Sequence, residues 1–296
     1  MKNVLSLVAC GILGSLTGPG GLVVAPSAVI AQEGKEIDLR PKFRKGQETR
    51  YTLKMDTTSE QRTGEDSAKQ TTTQEIDLTL RVKDVGQDGG ATVEMVYDAL
   101  KLKSDSPLSA WEFDSKSPPS KDGDVGALLR PVVGLTLTMQ TDATGAITSV
   151  STPPGGAVSG DTLGQFTGAD MVKSMFGPIT GIARGDGTAS VGATWVNESV
   201  MTAALGAMRM RNTYTLRAHR GNTADLDISG TVSLDGGSQG LFTIREGSTK
   251  GNAAWDTEAG ILASMDMTLR TIVDTKLSGD LGGTTTNETK ISVRRK

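Results

Sequence analysis

A chain of 296 residues with 31 Lys and Arg against 34 Asp and Glu has a net charge of −3 and no basic excess, which argues against nucleic acid or an anionic membrane surface as a partner. One Cys and one His leave little for thiol chemistry or imidazole-ligated metal. The 37 Gly and the Thr-rich runs favour turns and strands, and with aromatics at only 4% the 11 Met serve as flexible apolar filler.

Residues 1–31 are expected to be a secretory signal outside the fold. Lys2 supplies a small positive start, and Val4 to Val24 is apolar or small except for Ser6, Ser15 and Thr17. Gly18-Pro19-Gly20-Gly21 interrupts that run, so no transmembrane helix is expected in the mature chain. Val29 and Ala31 occupy the −3 and −1 positions of a cleavage site after Ala31, which implies export to the periplasm or beyond. Leu7-Val8-Ala9-Cys10-Gly11 has the shape of a lipoprotein-processing box, but the apolar run before Cys10 falls short of the roughly 7–15 residues such a region needs. Cleavage after Ala31 is therefore preferred to a lipid anchor at Cys10, and it leaves a mature chain without cysteine.

Residues 32–150 read as a first antiparallel β-unit. GQETRYTLKM is a strand, and 58–74 is polar throughout, as a long hairpin tip or a mobile segment would be. Ile76, Leu78, Leu80 and Val82 then alternate with Asp77, Thr79, Arg81 and Lys83, the period-2 pattern of a strand with one buried and one wet face. Counting outward from the loop at 85–90 sets Arg81 opposite Glu94. VGALLR (125–130) is a short helix or turn stopped by Pro131, and an Asp142…Gly145 hairpin closes the unit.

Residues 151–186 form a Pro/Gly linker holding a short helix. Thr167 is placed to cap it, Met171, Val172, Met175 and Phe176 share one side, and Gly177-Pro178 is expected to end it. Residues 187–296 repeat the β pattern. Met208, Met210, Tyr214 and Leu216 alternate with arginines and threonines, and a three-residue loop at 220–222 leads to Leu226 and Ile228. Centred there, the hairpin pairs Leu216 with Leu226, Tyr214 with Ile228, and Arg217 with Asp225. An Asp256…Gly260 hairpin follows, carrying Met265 and Met267 on its dry face. The order of a leading strand, a Thr-Leu-Arg hairpin (79–81; 215–217) and an Asp…Gly hairpin is thus common to both halves, and suggests a duplicated β-unit. The expected fold is mainly β: antiparallel curved sheets from two similar β-units, with one or two short helices between them.

No Ser-x-x-Lys pair, Walker loop or Gly-x-Gly-x-x-Gly occurs. His219 reads as an exposed residue on a polar strand face. Asp122, Asp124, Asp84 and Asp88 lie in Gly-rich loops as turn formers, without calcium-loop spacing, so no metal and no cofactor are expected. Asp256 and Glu258 are the only acids that suggest a carboxylate hydrolase, and a hairpin tip accounts for both. Arg209, Arg211, Arg217 and Arg220 face Asp225 and Asp227 as a self-neutralising surface. Met208, Met210, Met265 and Met267 share the dry face; they are core, or, if the sheet curls into an open barrel, the lining of an adaptable apolar cavity.

Leu-Arg-Pro-Val-Val-Gly-Leu-Thr-Leu-Thr (129–138), the Asp142…Gly145 hairpin, Phe-Gly-Pro (176–178) and Val-Gly-Ala-Thr-Trp (191–195) resemble exported bacterial families of unknown function. That resemblance implies a structural framework and carries no known site. More loosely, the layout resembles the periplasmic lipoprotein-carrier fold, a curved antiparallel sheet with short helices. The expected function is that of an exported, non-enzymatic envelope or periplasmic protein acting in structure or interaction. The alternative is a carrier of lipid or another apolar ligand in the Met-lined cavity.

Overall fold

The computed structural model describes residues 35–107, 109–121, 123–151, 168–182, 187–203, 206–235, 242–276 and 282–296. The expected signal segment, with Cys10 and Ala31, lies outside the described residues, as do Thr167, Asp122 and most of the Pro/Gly linker. The strands are β1 (Ile37–Asp38), β2 (Glu48–Thr63), β3 (Asp66–Val85), β4 (Ala91–Asp105), β5 (Ala110–Asp114), β6 (Thr136–Thr141), β7 (Ile147–Ser151), β8 (Thr188–Ala189), β9 (Thr194–Ala203), β10 (Gly206–Arg220), β11 (Thr223–Asp235), β12 (Phe242–Asp256), β13 (Ile261–Thr275) and β14 (Gly283–Arg295). Among the described residues two α-helices, α1 (Gly123–Leu129) and α2 (Ala169–Thr180), interrupt them.

Both halves of the chain enter one antiparallel sheet, in the order β7-β6-β4-β3-β2-β14-β13-β12-β11-β10-β9, with β5 beside β4. The strands of 187–296 and those of 32–150 are laid side by side, joined where β14 pairs with β2. The polar stretch 58–74 is no separate element: it is the far end of the β2–β3 hairpin, which turns at Gly64 with φ +60° and pairs Thr63 with Asp66.

Alternation sorts the two faces. One row across the sheet runs Leu216-Leu226-Ala253-Met265-Val293-Leu53-Ile76-Leu100, each residue opposite the next, and all are buried. Leu80 and Leu216 point into the core while Arg81 and Arg217 face solvent. Two rows farther along the same face, Asn197-Asn212-Gly230-Thr249 turns polar. The inner face is therefore graded, apolar at one end and rich in Asn and Thr at the other. β1 with β8, α1, α2 and their connections cover the apolar end. Burying it is the main driving force for folding, since removal of apolar surface contributes about 25 cal/mol per Å².

The register bears out Arg81 opposite Glu94, Tyr214 opposite Ile228 and Leu216 opposite Leu226. It corrects Arg217. The β10–β11 turn is tighter than expected, with Arg220 paired to Thr223, and a bulge between Leu216 and Ala218 absorbs the extra residue. Asp225 thus stands opposite Ala218, and Arg217 lies 3.9 Å from Asp227. The same bulge shifts His219 off the polar face into the row of Ala224, where it is half-buried with Nε2 3.3 Å from Thr257 Oγ1.

The helix at the linker also departs from expectation. It does not end at Gly177-Pro178 but runs through Pro178 to Thr180, beginning after Gly168. The Gly177 carbonyl accepts from both Gly181 N (3.0 Å) and Thr180 Oγ1 (3.2 Å), which closes the last turn despite the proline. Ile179 thereby joins Val172 and Phe176 in the core.

Helix α2 packs against β13 and against both edge strands, β7 and β9. Ten inter-strand steps of about 4.8 Å would hold those edges about 48 Å apart in a flat sheet, whereas the 12 residues of α2 span only about 18 Å. The sheet must therefore roll around the helix. The edges β7 and β9 approach each other without pairing, and α2 occupies the gap.

Candidate functional site

Backbone contacts build the seam. Gly145, in the β6–β7 turn with φ +84°, faces Gly181 at the end of α2 so closely that a Cβ on Gly145 would stand 2.0 Å from the Thr180 carbonyl oxygen. A Cβ on Gly181 would lie 2.2 Å from the Thr144 carbonyl oxygen. Only glycine permits this approach. One residue on, the Ile182 carbonyl accepts a 2.9 Å hydrogen bond from Trp195 Nε1 on β9. The Trp195 ring stacks on Tyr214 at 5.9 Å between centroids. On the other side, Phe176 of α2 meets Tyr97 of β4 edge to face at 6.3 Å. These contacts tie β7 to α2 and α2 to β9, leaving a cleft below them.

The cleft has a volume of about 610 Å³. Its floor is the inner face of β10 and β13, through Met210, Asn212, Tyr214, Met265 and Met267. Ala146 and Ile147 form one wall, and Lys173, Gly177 and Pro178 of α2 another. Val196 and Val200 stand at the rim on β9, 43% and 45% exposed. Three of the four methionines singled out from the sequence thus meet in one cavity. Met265 and Met210 are nearly fully buried, at 2% and 8% exposure, and Met267 is half-buried. Met208 does not line it; it sits farther along the same face, opposite Met201 and Leu234. Residues on the helix wall, Lys173 above all, carried no sequence signal, because their place at the cleft depends on how the sheet rolls.

The polar groups of the floor are distinctive. Asn212, 8% exposed, accepts a 2.6 Å hydrogen bond at Oδ1 from Thr249 Oγ1. Room for that pair comes from Gly230 on the intervening strand, where a Cβ would lie 2.5 Å from both oxygens. Burial pushes the Tyr214 phenol up to about 12, so it stays a neutral donor across the physiological range. Glu198 at the rim is taken up by Arg209 (3.5 Å) and Arg211 (3.3 Å) on the outer face. The arginine stripe is neutralised, but only Arg217 and Arg220 meet the expected acids, Asp227 at 3.9 Å and Asp225 at 3.8 Å; Arg209 and Arg211 pair with Glu198 on β9 instead.

The carboxylates named from sequence are scattered: Asp88, Asp256 and Glu258 stand at hairpin ends, whereas Asp84 belongs to β3 and Asp124 to the first turn of α1, not to Gly-rich loops as expected. Asp256 accepts from the backbone N–H groups of Ala259 (3.0 Å) and Glu258 (3.2 Å) and pairs with Arg295 at 3.0 Å. Partial burial pushes its pKa upward, but these hydrogen bonds and the Arg295 charge outweigh it and hold the group below the usual carboxylate range. Glu258 accepts from the Asn222 side chain. Asp84 pairs with Lys45, and Asp88 accepts from Gly90 N within its own loop. Among the described residues no helix is long and apolar enough to cross a membrane.

Residues 159–262 match the model of a family of unknown function, DUF6263. The matched span takes in Phe176-Gly177-Pro178 and Val191–Trp195, but not the 129–145 segment. No curated protein matches the chain. Among solved structures, one of lipovitellin concerned with lipid–protein interactions is similar over 86% of this chain, with 13% identity and a TM-score of 0.52. This chain spans about a quarter of the lipovitellin chain's length, 25%. DynF from the dynemicin biosynthesis pathway of Micromonospora chersina aligns over 92% of each chain with 8% identity and a TM-score of 0.21. Pseudomonas aeruginosa OpdQ aligns over 84% of this chain and 98% of its own, with 8% identity and a TM-score of 0.19.

Proposed function

We propose that this protein binds an apolar ligand of the lipid class, without catalysis, in the cleft at the seam of its rolled sheet. The observation that carries the reading is the convergence of Met210, Met265 and Met267 on a cavity of about 610 Å³ beneath the two edge strands. That volume lies within the roughly 300–1,000 Å³ typical of small-molecule sites. Methionine suits such a floor, because its unbranched, polarisable side chain repacks around ligands of different shape. The lipovitellin-like fold supports the same reading at the level of architecture, and a signal segment at 1–31 would deliver the protein to the periplasm or beyond, where lipid transfer needs soluble carriers. Asp256 and Glu258 are committed to their turn, which favours binding over hydrolysis.

The test is titration of the protein with the neutral apolar fluorophore N-phenyl-1-naphthylamine. The wild type is expected to give saturable enhancement, and Met267→Glu to weaken it about tenfold or more by placing a charge in the apolar cleft. Circular dichroism confirms that the variant folds. Equal titration curves for the two proteins would rule out this cleft as the site.

A further inference from the structure

We propose that the ligand of this cleft is a single-chain amphiphile with an anionic head, of the fatty-acid class, whose carboxylate is held by Lys173 and Asn212 while its chain lies over the methionines. The inference rests on the reading of the cleft as an apolar-ligand site and adds the chemistry of the head group.

Three observations point to it. Lys173, on the α2 wall, is half-buried and has no carboxylate within ion-pair distance among the described residues. Among the described residues the one acid on the cleft, Glu198, is engaged with Arg209 and Arg211 and does not answer that charge. Among the described residues, then, the cleft presents a positive charge without an acidic partner beside an apolar floor. Next, Asn212 is more than nine-tenths buried yet lines the cavity, and its one side-chain hydrogen bond is accepted by Oδ1. Its amide N–H groups therefore remain as donors. They belong to a residue that lines the cleft, where an acceptor supplied by a ligand can meet them. Lastly, Tyr214 lines the same cavity and has no hydrogen-bond partner among the described residues for its hydroxyl, which adds a third donor. All three groups donate, and one of them is a cation. A carboxylate, which only accepts and carries one negative charge, complements the set; an alcohol complements it less well, and an ammonium head opposes it.

The experiment measures displacement of N-phenyl-1-naphthylamine by laurate and by dodecanol, in the wild type, Lys173→Met and Asn212→Leu. In the wild type, laurate is expected to bind about tenfold or more tightly than dodecanol, the worth of one charge-assisted hydrogen bond. In Lys173→Met the two are expected to bind alike, because the substitution removes the charge and keeps the apolar bulk. Asn212→Leu is expected to lose part of the preference for laurate. Equal displacement by laurate and dodecanol in the wild type would overturn the anionic-head assignment while leaving the apolar cleft standing. Probe binding that Met267→Glu does not weaken would instead overturn the cleft itself. A laurate preference that survives Lys173→Met would also overturn the assignment, by placing the recognised charge elsewhere.

Discussion

At the scale of single residues, Gly145 is the point where the seam is most tightly drawn. It needs a left-handed backbone, φ +84°, and its missing Cβ admits the Thr180 carbonyl. Gly145→Ala should therefore cost about 1–2 kcal/mol for the backbone and about 1–3 kcal/mol more for the overlap. Gly64 is a built-in control: it has φ +60°, but nothing lies within 4 Å of the place a methyl group would take. Gly64→Ala should then show only the backbone share, about 1–2 kcal/mol. Urea denaturation of both variants checks the difference, and equal losses would mean that Thr180 does not approach Gly145 as described. The sequence marked Gly145 as a turn glycine within an Asp…Gly hairpin. That its open side receives a helix end thirty-odd positions later is a fact of tertiary packing, which no local pattern encodes.

At the scale of elements, Asp77 joins pieces that are distant in sequence. On β3, it accepts from Thr52 Oγ1 at 2.8 Å on β2, from Lys116 Nζ at 3.2 Å, and from Lys296 Nζ at 2.7 Å. Partial burial raises its pKa, but the hydrogen bonds from Lys296, Thr52 and Lys116 prevail and hold it below the ordinary value of 3.8. A carboxylate depressed in the folded state contributes stability above its unfolded pKa and loses it as pH falls through the folded value. The contribution of Asp77 is thus full above about pH 5 and fades below 3.8. Because Lys116 and Lys296 are largely exposed, solvent screening keeps the effect near 1 kcal/mol. Asp77→Asn should accordingly be less stable than the wild type at pH 6, with the gap narrowing as pH falls below 3.8; a gap that stays constant with pH would exclude the ionic role.

The same strands show how far the sequence could be read. Strict alternation in β3, β10 and β11 was enough to assign the buried face and most of the register, because a one-residue slip would turn every Leu to water. The bulge at Arg217 was not legible: a two-residue turn with a bulge and a three-residue loop use the same residues, and only hydrogen bonding separates them. Helix α2 was legible as a helix through Val172 and Phe176, but its end was not, since Gly177-Pro178 usually breaks a helix and here docking on β7 and β9 holds it together. For the cleft, the methionines were visible as a dry-face set, whereas Lys173, Asn212 and Tyr214 became its polar partners only through the rolled geometry.

At the scale of the whole molecule, a long open sheet faces a particular difficulty: two unpaired edges that invite association with other chains. Here the sheet rolls until both edges rest on one helix, so α2 shields β7 and β9 and at the same time roofs a cavity on the inner face. Sheet curvature, edge cover and the cleft are in this sense one feature. It follows that anything binding in the cleft bridges the two ends of the sheet, and that occupancy should stabilise the rolled form by mass action.

The proposed binding site depends on the rolled sheet, whose test is a distance. Spin labels at Ser149→Cys on β7 and Val200→Cys on β9, in a Cys10→Ser background, report the separation of the edges by double electron–electron resonance; both positions are exposed. With both strands resting on a helix about 18 Å long, the distribution should centre below about 35 Å, label tethers included. A distribution centred near 50 Å, the width of about ten flat inter-strand steps, would show an open sheet with no seam and no cleft.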